Sequence, residues 1–437
     1  MTRSSPTSFA AAAAATYGTN LGVAVLSLLN VLVTARILGP SGRGDLALLT
    51  TIAILTANLA AFGIYEANAN IGGAEPHQRG ALAANSVLLA LLFGGVAAAV
   101  VATLIRVFPS LGGGARTPVL ALALAAIPVL ILQSGLQTLI QSGYGFAVTN
   151  VAWLLAPVTN LGVNALFALL GVLTVASAVT VWVAGQVLAT ALLAWHALRP
   201  LGRVPRPDPR LARRSLAFGA RTHLGRVMTM GNYRLDQWFV GAIAGTRELG
   251  LYSVAVAWAE ALFYLPTALG MVQRPDLVRA ARSEAGALAA RVFRAAILFT
   301  ALLAVGLIVA APILCVTVFG EEFRGSIGDL RILALGAFGI VALKLLGSAL
   351  NAQGRPMRAN IGVGVAFIAT VALDLLLIPS HGGLGAAIAS TLAYTAGGAA
   401  IVLVFARDLG RPATELIPRG SEVRPLLRHL RARLART

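Results

Sequence analysis

SLAFGARTHLGRVMTMGNYRLDQWFVGAIAG, residues 215–245, is long enough to cross a bilayer, yet it carries Arg221, His223, Arg226, Arg234 and Asp236. A spanning helix needs about 20 mostly apolar residues. Each charge near its centre costs about 2.5–3.5 kcal/mol on insertion scales, so such groups are expected to face protein or a water-filled cavity. At 100° per residue His223, Arg226, Met230 and Arg234 fall within about 80° of one another, while Thr229, Asn232 and Asp236 line a different face. The first face suits an anion. The second offers a carboxylate to a cation or to a neighbouring helix.

The rest of the chain makes the spanning reading general. Of 437 residues 58% are hydrophobic and 11% charged, too apolar for a soluble globular domain. Windows near 11–35, 46–71, 82–107, 117–141, 147–170, 174–198, 215–244, 250–272, 291–319, 330–351, 357–379 and 384–406 each have the length and polarity of a crossing. The expected fold is therefore an all-α polytopic membrane protein with about 12 transmembrane helices. Residues 36–45 read as a tight loop after helix one, with Arg43 and Asp45 as solvated charges, and Gly18 and Gly22 as packing positions. Residues 274–291 read as an amphipathic surface helix.

A net charge of +18 would point to nucleic acid in a soluble domain. Here the arginines sit in short loops and a tail, so no nucleic-acid partner is expected and the charge reads as topology and as attraction to anionic headgroups. Arginines outside the spans concentrate in the even-numbered loops and the tails, the odd loops holding only Arg36, Arg43, Arg106, Arg116, Arg247, Arg324 and Arg331. The positive-inside rule then places both termini in the cytoplasm, and the expected location of the multi-pass chain is the plasma (inner) membrane. The first apolar run is too long for a signal core and reads as a retained anchor. Cys315 is the only cysteine, which excludes an intramolecular disulfide. There is no HExxH, P-loop or GxSxG, and the glycines of 382–385 open a span without a preceding strand. The chain is read as a non-enzyme with no cofactor or metal.

Four prolines and six arginines in 199–214 mark a cytoplasmic linker between an N-terminal six-helix lobe, 1–198, and a C-terminal one, 215–406. Residues 407–437 form a basic tail, in which Val423, Leu426, Leu427, Leu430 and Leu434 share one helical face. The halves match at an offset of about 206–211. Gly39 and Gly44 fall on Gly245 and Gly250, Ala61-Phe-Gly-Ile64 on Ala268-Leu-Gly-Met271, Asn150 on Asn360, and Asn164 on Asp374. Six spans per half make the repeat parallel, with its axis along the membrane normal. Arg226 and Asp236 lie over Asn20 and Asn30, so the second half has ions where the first has amides.

Further ionisable residues join the candidates. Lys344, the only lysine, sits deep in helix ten and is expected to line a central cavity with Arg226, Arg234 and His223. Asp236, Glu260, Asp374 and Glu66 are candidates for a coupling-ion or structural pairing role. For Arg221 and Arg226 the alternative is snorkelling toward headgroups.

Four stretches carry a family resemblance: ARILGPSGRGDLAL (35–48), YRLDQWFVGAIAGTRELGLYSVA (233–255), FGEEFRGSIGDLRILALG (319–336) and the segment 351–391. They resemble the polysaccharide-biosynthesis and O-antigen flippases of the multidrug/oligosaccharidyl-lipid/polysaccharide exporter superfamily. The resemblance implies two six-helix lobes around a cationic cavity and transfer of an undecaprenyl-pyrophosphate-linked oligosaccharide from the inner to the outer leaflet, with Arg226, Arg234 and Asp236 as cavity residues. Other polysaccharide-assembly membrane proteins are further candidate partners. One departure is that helix one holds no basic residue between Arg3 and Arg36. A cation-coupled (H⁺ or Na⁺) small-molecule exporter of the same fold, with Asp236 and Glu260 exchanging the ion, is the alternative, and a non-transporting envelope scaffold a third reading.

Overall fold

A computed structural model describes residues 6–114, 117–199, 205–410 and 412–418. The amphipathic face expected at 423–434 and the middle of the linker, 200–204, lie outside the described residues. The described residues form α1 (Pro6–Ala60), α2 (Ile64–Ala74), α3 (Arg79–Val107), α4 (Thr117–Ser142), α5 (Phe146–Leu169), α6 (Val175–Leu198), α7 (Pro209–Phe239), α8 (Thr246–Ala259), α9 (Tyr264–Arg279), α10 (Arg282–Pro312), α11 (Ser326–Ala352) and α12 (Pro356–Leu409). No strand occurs among them.

Among the described residues nine stretches are long and apolar enough to cross a membrane. Two of these, Ala15–Ala60 and Pro356–Leu409, are far longer than the roughly 20 residues one crossing needs. Each is broken once, α1 at Gly39 and α12 at Gly382, and so contains two crossings. The segment missing from the nine is α7, whose charges disqualify it by composition. With it, and with each broken stretch counted twice, the described residues hold twelve stretches of crossing length, the number expected from sequence.

Packing divides the chain into two compact units, Met1–Val254 with Val318–Phe323, and Ala255–Thr317 with Arg324–Thr437. This partition differs from the lobes expected from sequence, 1–198 and 215–406, at 215–254 and at 318–323. In the first unit α7 starts inside the linker stretch. Pro209 takes the first helical position, where its missing N–H costs nothing, and Asp208 Oδ1 accepts from the N–H groups of Arg210 (2.8 Å) and Leu211 (3.2 Å). Asn85 of α3 holds Asp208 by both its backbone N–H and C=O. Leu211 then enters a core with Ile71, Leu82, Leu136, Leu139 and Leu193. Beside it, Arg214 Nη2 meets Glu75 Oε1 at 2.5 Å, and this hydrogen bond holds the Glu75 carboxyl below its ordinary range. A depressed folded value means the contact stabilises above the ordinary Glu range and is lost as pH falls through the lowered value. Glu75→Gln is expected to flatten the acid limb of a melting profile below about pH 4, with little change at neutrality because the pair is exposed.

A polar ladder joins the first arm of α1 to α5. Asn150 Nδ2 donates to Thr16 Oγ1 (3.2 Å) and Asn164 Nδ2 to Asn30 Oδ1 (2.8 Å), both pairs separated by 134 residues, so the two helices run parallel. Asn164→Leu is expected to lower stability by about 0.6–1.7 kcal/mol, the range for interhelical hydrogen bonds in membranes, read as a lower melting temperature in detergent.

In the second unit Leu277, Phe293, Leu345, Leu346, Ile401 and Phe405 form the core shared by α9 to α12. The surface helix expected at 274–291 does not exist as a separate element. Its first part extends α9, its last part extends α10, and the two are joined at Ala280 and Ala281 in extended conformation.

The repeat is written in the backbone. Left-handed φ recurs at Gly39 (66°) and Gly245 (93°), at Gly114 (74°) and Gly320 (114°), at Tyr144 (64°) and Gly354 (72°), and at Gly171 (70°) and Gly382 (54°). Every pair falls within the offset the sequence matches define. Gly39 and Gly245 also share ψ near 180°, a combination open essentially to glycine alone. The loop expected at 36–45 is therefore a single-residue reversal, and Arg43 and Asp45 are helical.

The two reversals pack on one another in the first unit. A Cβ on Gly44 would lie 1.6 Å from the carbonyl oxygen of Thr246, and one on Gly250 would lie 1.8 Å from that of Pro40. Pro40 is the repeat partner of Thr246, as Gly44 is of Gly250, so the contact is reciprocal, as across a local two-fold axis.

Candidate functional site: a broken helix clamped by a charged one

α1 stops at Ala60 and α2 starts at Ile64, so the second crossing and its continuation are separated by 61–63, with Phe62 (φ 42°) and Gly63 (φ 71°) both left-handed. The last carbonyls of a helix lack intrahelical partners and must find others. α7 supplies them. Gly63 and Gly219 meet backbone to backbone, an added Cβ on either falling 2.4 Å from the other strand of chain. This approach sets the next turns of α7 beside the break. One turn on, His223 Nε2–H donates to the Leu59 carbonyl at 3.0 Å, while its ring stacks on Phe62 at 5.8 Å between centroids. Phe62 in turn packs on Phe93 at 5.1 Å.

Nearly two turns on, the Arg226 guanidinium lies 4.3 Å over the Tyr65 ring, a cation–π geometry. Its Nε donates to Asn58 Oδ1 at 3.3 Å, and Asn58 is itself held by its bond to the Ile54 carbonyl. Arg226 remains exposed despite these contacts. Glu66 lies within electrostatic range of both Arg226 and His223. Behind Tyr65 a cavity of about 60 Å³, lined by Ile54, Ala57, Asn58, Ala61, Leu130, Ile131 and Ser134, has room for about two waters.

Further along α7, Arg234 Nη1 donates to the Tyr233 carbonyl at 3.1 Å, and its charge acts on Arg43 of α1. The buried Nε of Arg43 finds no hydrogen-bond acceptor. Asp236 points elsewhere. Its Oδ2 accepts from the Tyr252 hydroxyl at 2.5 Å and its Oδ1 from the Gln237 N–H at 2.7 Å, while Thr51 donates to Gln237 at 3.2 Å. The buried carboxylate thus ties α7 to α8 around the π-helical turn Val240–Ala244.

Glu66, His223 and Arg226 therefore come together at one seam, Arg234 joins Arg43, and Asp236 is engaged by Tyr252. The remaining candidates belong to the second unit. Lys344 Nζ donates to Thr267 Oγ1 at 2.9 Å and feels the charge of Glu260, and Asp374 is fully buried on α12. Arg221 is exposed. Among the described residues no three His, Cys, Asp or Glu side chains form a metal-binding group.

Sequence reasoning does not single out Asn58, Phe62 or Tyr65, and it places Arg43 among solvated charges. Helical phase on α7 identifies which of its residues act together but says nothing of the partner surface. The one available signal was Ala61-Phe-Gly-Ile64 recurring as Ala268-Leu-Gly-Met271.

The described residues are helices of membrane-crossing length, with arginines on α7 beside a broken helix, as in a multi-pass membrane protein. The chain belongs to the polysaccharide biosynthesis protein family, whose profile matches residues 33–328. In structure it resembles the lipid II flippase MurJ in an inward closed conformation, with TM-score 0.75 and 13% identity over 91% of this chain and 88% of that one. An inward-facing multidrug resistance MATE transporter of the MOP superfamily aligns with TM-score 0.68 and 14% identity, over 90% and 95%. A MOP superfamily transporter from Pyrococcus furiosus, described as having a binding pocket of reverse polarity, aligns with TM-score 0.61 and 14% identity, over 92% and 95%. No individually curated protein matches the sequence.

Proposed function

We propose that the protein moves a lipid-linked oligosaccharide of the undecaprenyl-pyrophosphate type from the inner to the outer leaflet by alternating access, for surface polysaccharide synthesis. The observation that carries this reading is Arg226, an exposed guanidinium on a spanning helix, aimed by Tyr65 and Asn58 beside a break in the neighbouring helix. A diphosphate needs such donors, because Arg offers several N–H groups in a planar fork that matches phosphate oxygens. Arg234 and Arg43 extend the positive strip along α7, and His223 and Lys344 are proposed to contribute to substrate contact. The polyprenyl chain stays in the bilayer while the glycan crosses in water. In this reading the protein is a transporter without catalytic residues, it resides in the inner membrane with both termini cytoplasmic, and the two six-helix halves are its moving lobes.

The test is surface-polysaccharide export in a deletion strain complemented with Arg226→Gln/Arg234→Gln at normal protein levels. Export is expected to be lost. Wild-type export would overturn the role of the arginines. The second reading, a cation-coupled small-molecule exporter, draws on the likeness to multidrug transporters and on Glu66 within electrostatic range of Arg226 and His223. It requires that Glu66→Gln, Asp236→Asn or Glu260→Gln matter more than the arginine changes, and that deletion alter drug susceptibility.

A further inference from the structure

Asp408, in the last turn of α12, gathers three arginines from the starts of two helices. Arg282, the first residue of α10, donates through Nε to the Asp408 carbonyl at 2.5 Å. Arg355, which caps α12, places Nη1 3.0 Å from Oδ2, and Arg358, in the first turn of α12, places Nη1 3.4 Å from Oδ1. All four residues lie in the second unit. One carboxylate cannot neutralise three guanidiniums, so the cluster keeps an excess of two positive charges. The starts of α10 and α12 add partial positive charge, and the end of α12, which supplies Asp408, partial negative charge.

The cluster is built on its inner side and open on its outer side. The Asp408 side chain is 7% exposed, whereas those of Arg355 and Arg358 are 33% and 57% exposed. Each guanidinium has five N–H donors, and the contacts to Asp408 engage one nitrogen of each. At these exposures Arg355 and Arg358 keep part of their guanidinium surface accessible beside the buried carboxylate. Such an array accepts phosphate oxygens in charge-assisted bonds.

What lies next to the array selects the source of the phosphate. Arg358 borders a line of exposed apolar side chains that climbs α12 at helical spacing: Met357 (76% exposed), Ile361 (43%) and Ile368 (70%). A free anion has no use for that line. A lipid whose phosphate sits on the arginines lays its acyl chain along it, as expected where a spanning helix meets the headgroup region.

We infer that Arg282, Arg355 and Arg358, arranged by Asp408, form a binding site for the phosphate of an anionic phospholipid. This inference rests on the geometry of the second unit and not on the transported substrate. Its test is lipid binding, so its failure and that of the flippase reading are distinguishable.

The test uses full-length protein released from mixed micelles for native mass spectrometry with phosphatidylglycerol or phosphatidylcholine. Wild type is expected to retain phosphatidylglycerol in preference. Arg358→Gln, at the most exposed arginine of the three, is expected to weaken retention about fivefold, the attraction of one surface arginine. Arg282→Gln/Arg355→Gln/Arg358→Gln is expected to abolish the preference, while Arg247→Gln, at an exposed arginine in the first unit, leaves it unchanged. Asp408→Asn separates a built site from simple charge attraction. It raises the net positive charge, so attraction alone tightens binding, whereas loss of the arranging carboxylate weakens it, which is the expected result. Equal retention by wild type and the triple variant, tighter binding by Asp408→Asn, or displacement of phosphatidylglycerol by inorganic phosphate with no effect of chain length would each overturn the inference.

Discussion

Valine at Gly44 or at Gly250 is expected to abolish export and to lower the melting temperature of the purified protein sharply. The added Cβ alone would sit 1.6 Å from the Thr246 oxygen in the first case and 1.8 Å from the Pro40 oxygen in the second. These are backbone atoms at the starts of two membrane helices, so no side-chain rotation relieves the overlap. Overpacking a core costs about 1–3 kcal/mol where side chains can yield, and the cost here is expected at or above the upper end. Alanine suffices for the test, since the collision is with Cβ. Because the contact is reciprocal, the alanine double variant is expected to cost less than the sum of the singles. Once one side has separated the two turns, the other collision is already relieved, a non-additivity that a double-mutant cycle measures. Gly18→Ala, where no heavy atom lies within 4 Å of the new Cβ, is expected to be silent. Wild-type melting and export by Gly44→Ala would show that the two turns do not meet in the functional protein.

The second large effect is expected at α7. Arg226→Ala should reduce export at least tenfold, and Arg226→Lys should recover only part of it. Lysine restores the charge, but not the planar group that stacks on Tyr65 while its Nε reaches Asn58. Tyr65→Leu, which removes the ring under the guanidinium and leaves the charge, is expected to fall between wild type and Arg226→Ala. Steady-state protein levels and melting temperatures separate loss of substrate contact from loss of the seam, because His223 also satisfies a carbonyl at the helix break. Full export by Arg226→Ala would leave the arginine with a packing role alone.

The number and order of crossings were legible in the sequence because run length and hydropathy are set by bilayer thickness, and α7 declared itself as a crossing with too many charges. The repeat was legible in part: the matched Gly39 and Gly245 share one backbone conformation, whereas the matched Gly44 and Gly250 are not left-handed, and the other recurring turns fall at the same offset without being among those sequence matches. Turns were less so. Gly39 reverses the chain in one residue, so 36–45 carries the composition of a loop without being one, and Arg43, a solvated charge by composition, has a buried Nε. Residues 274–291 carry the charge of a surface helix, yet they complete α9 and α10.

The site was legible on one side only. Helical phase placed His223, Arg226 and Arg234 together and separated Asp236 from them, and the structure agrees with that separation. The surface they meet depends on a break at Phe62 and Gly63, where a bulky residue adopts a left-handed conformation that no local pattern announces. Tyr252, sixteen residues beyond Asp236, reaches it across the π-helical turn and the left-handed Gly245.

Translocation in proteoliposomes asks most directly whether this charged helix serves lipid-linked glycan transfer. The measured quantity is the rate at which a polyprenyl-pyrophosphate-linked oligosaccharide in the inner leaflet becomes accessible to an external glycan-binding protein. Wild-type protein is expected to raise that rate well above protein-free vesicles, and Arg226→Gln/Arg234→Gln to return it close to the protein-free value. A wild-type rate equal to that of empty vesicles, or a double variant as fast as wild type, would contradict the assignment.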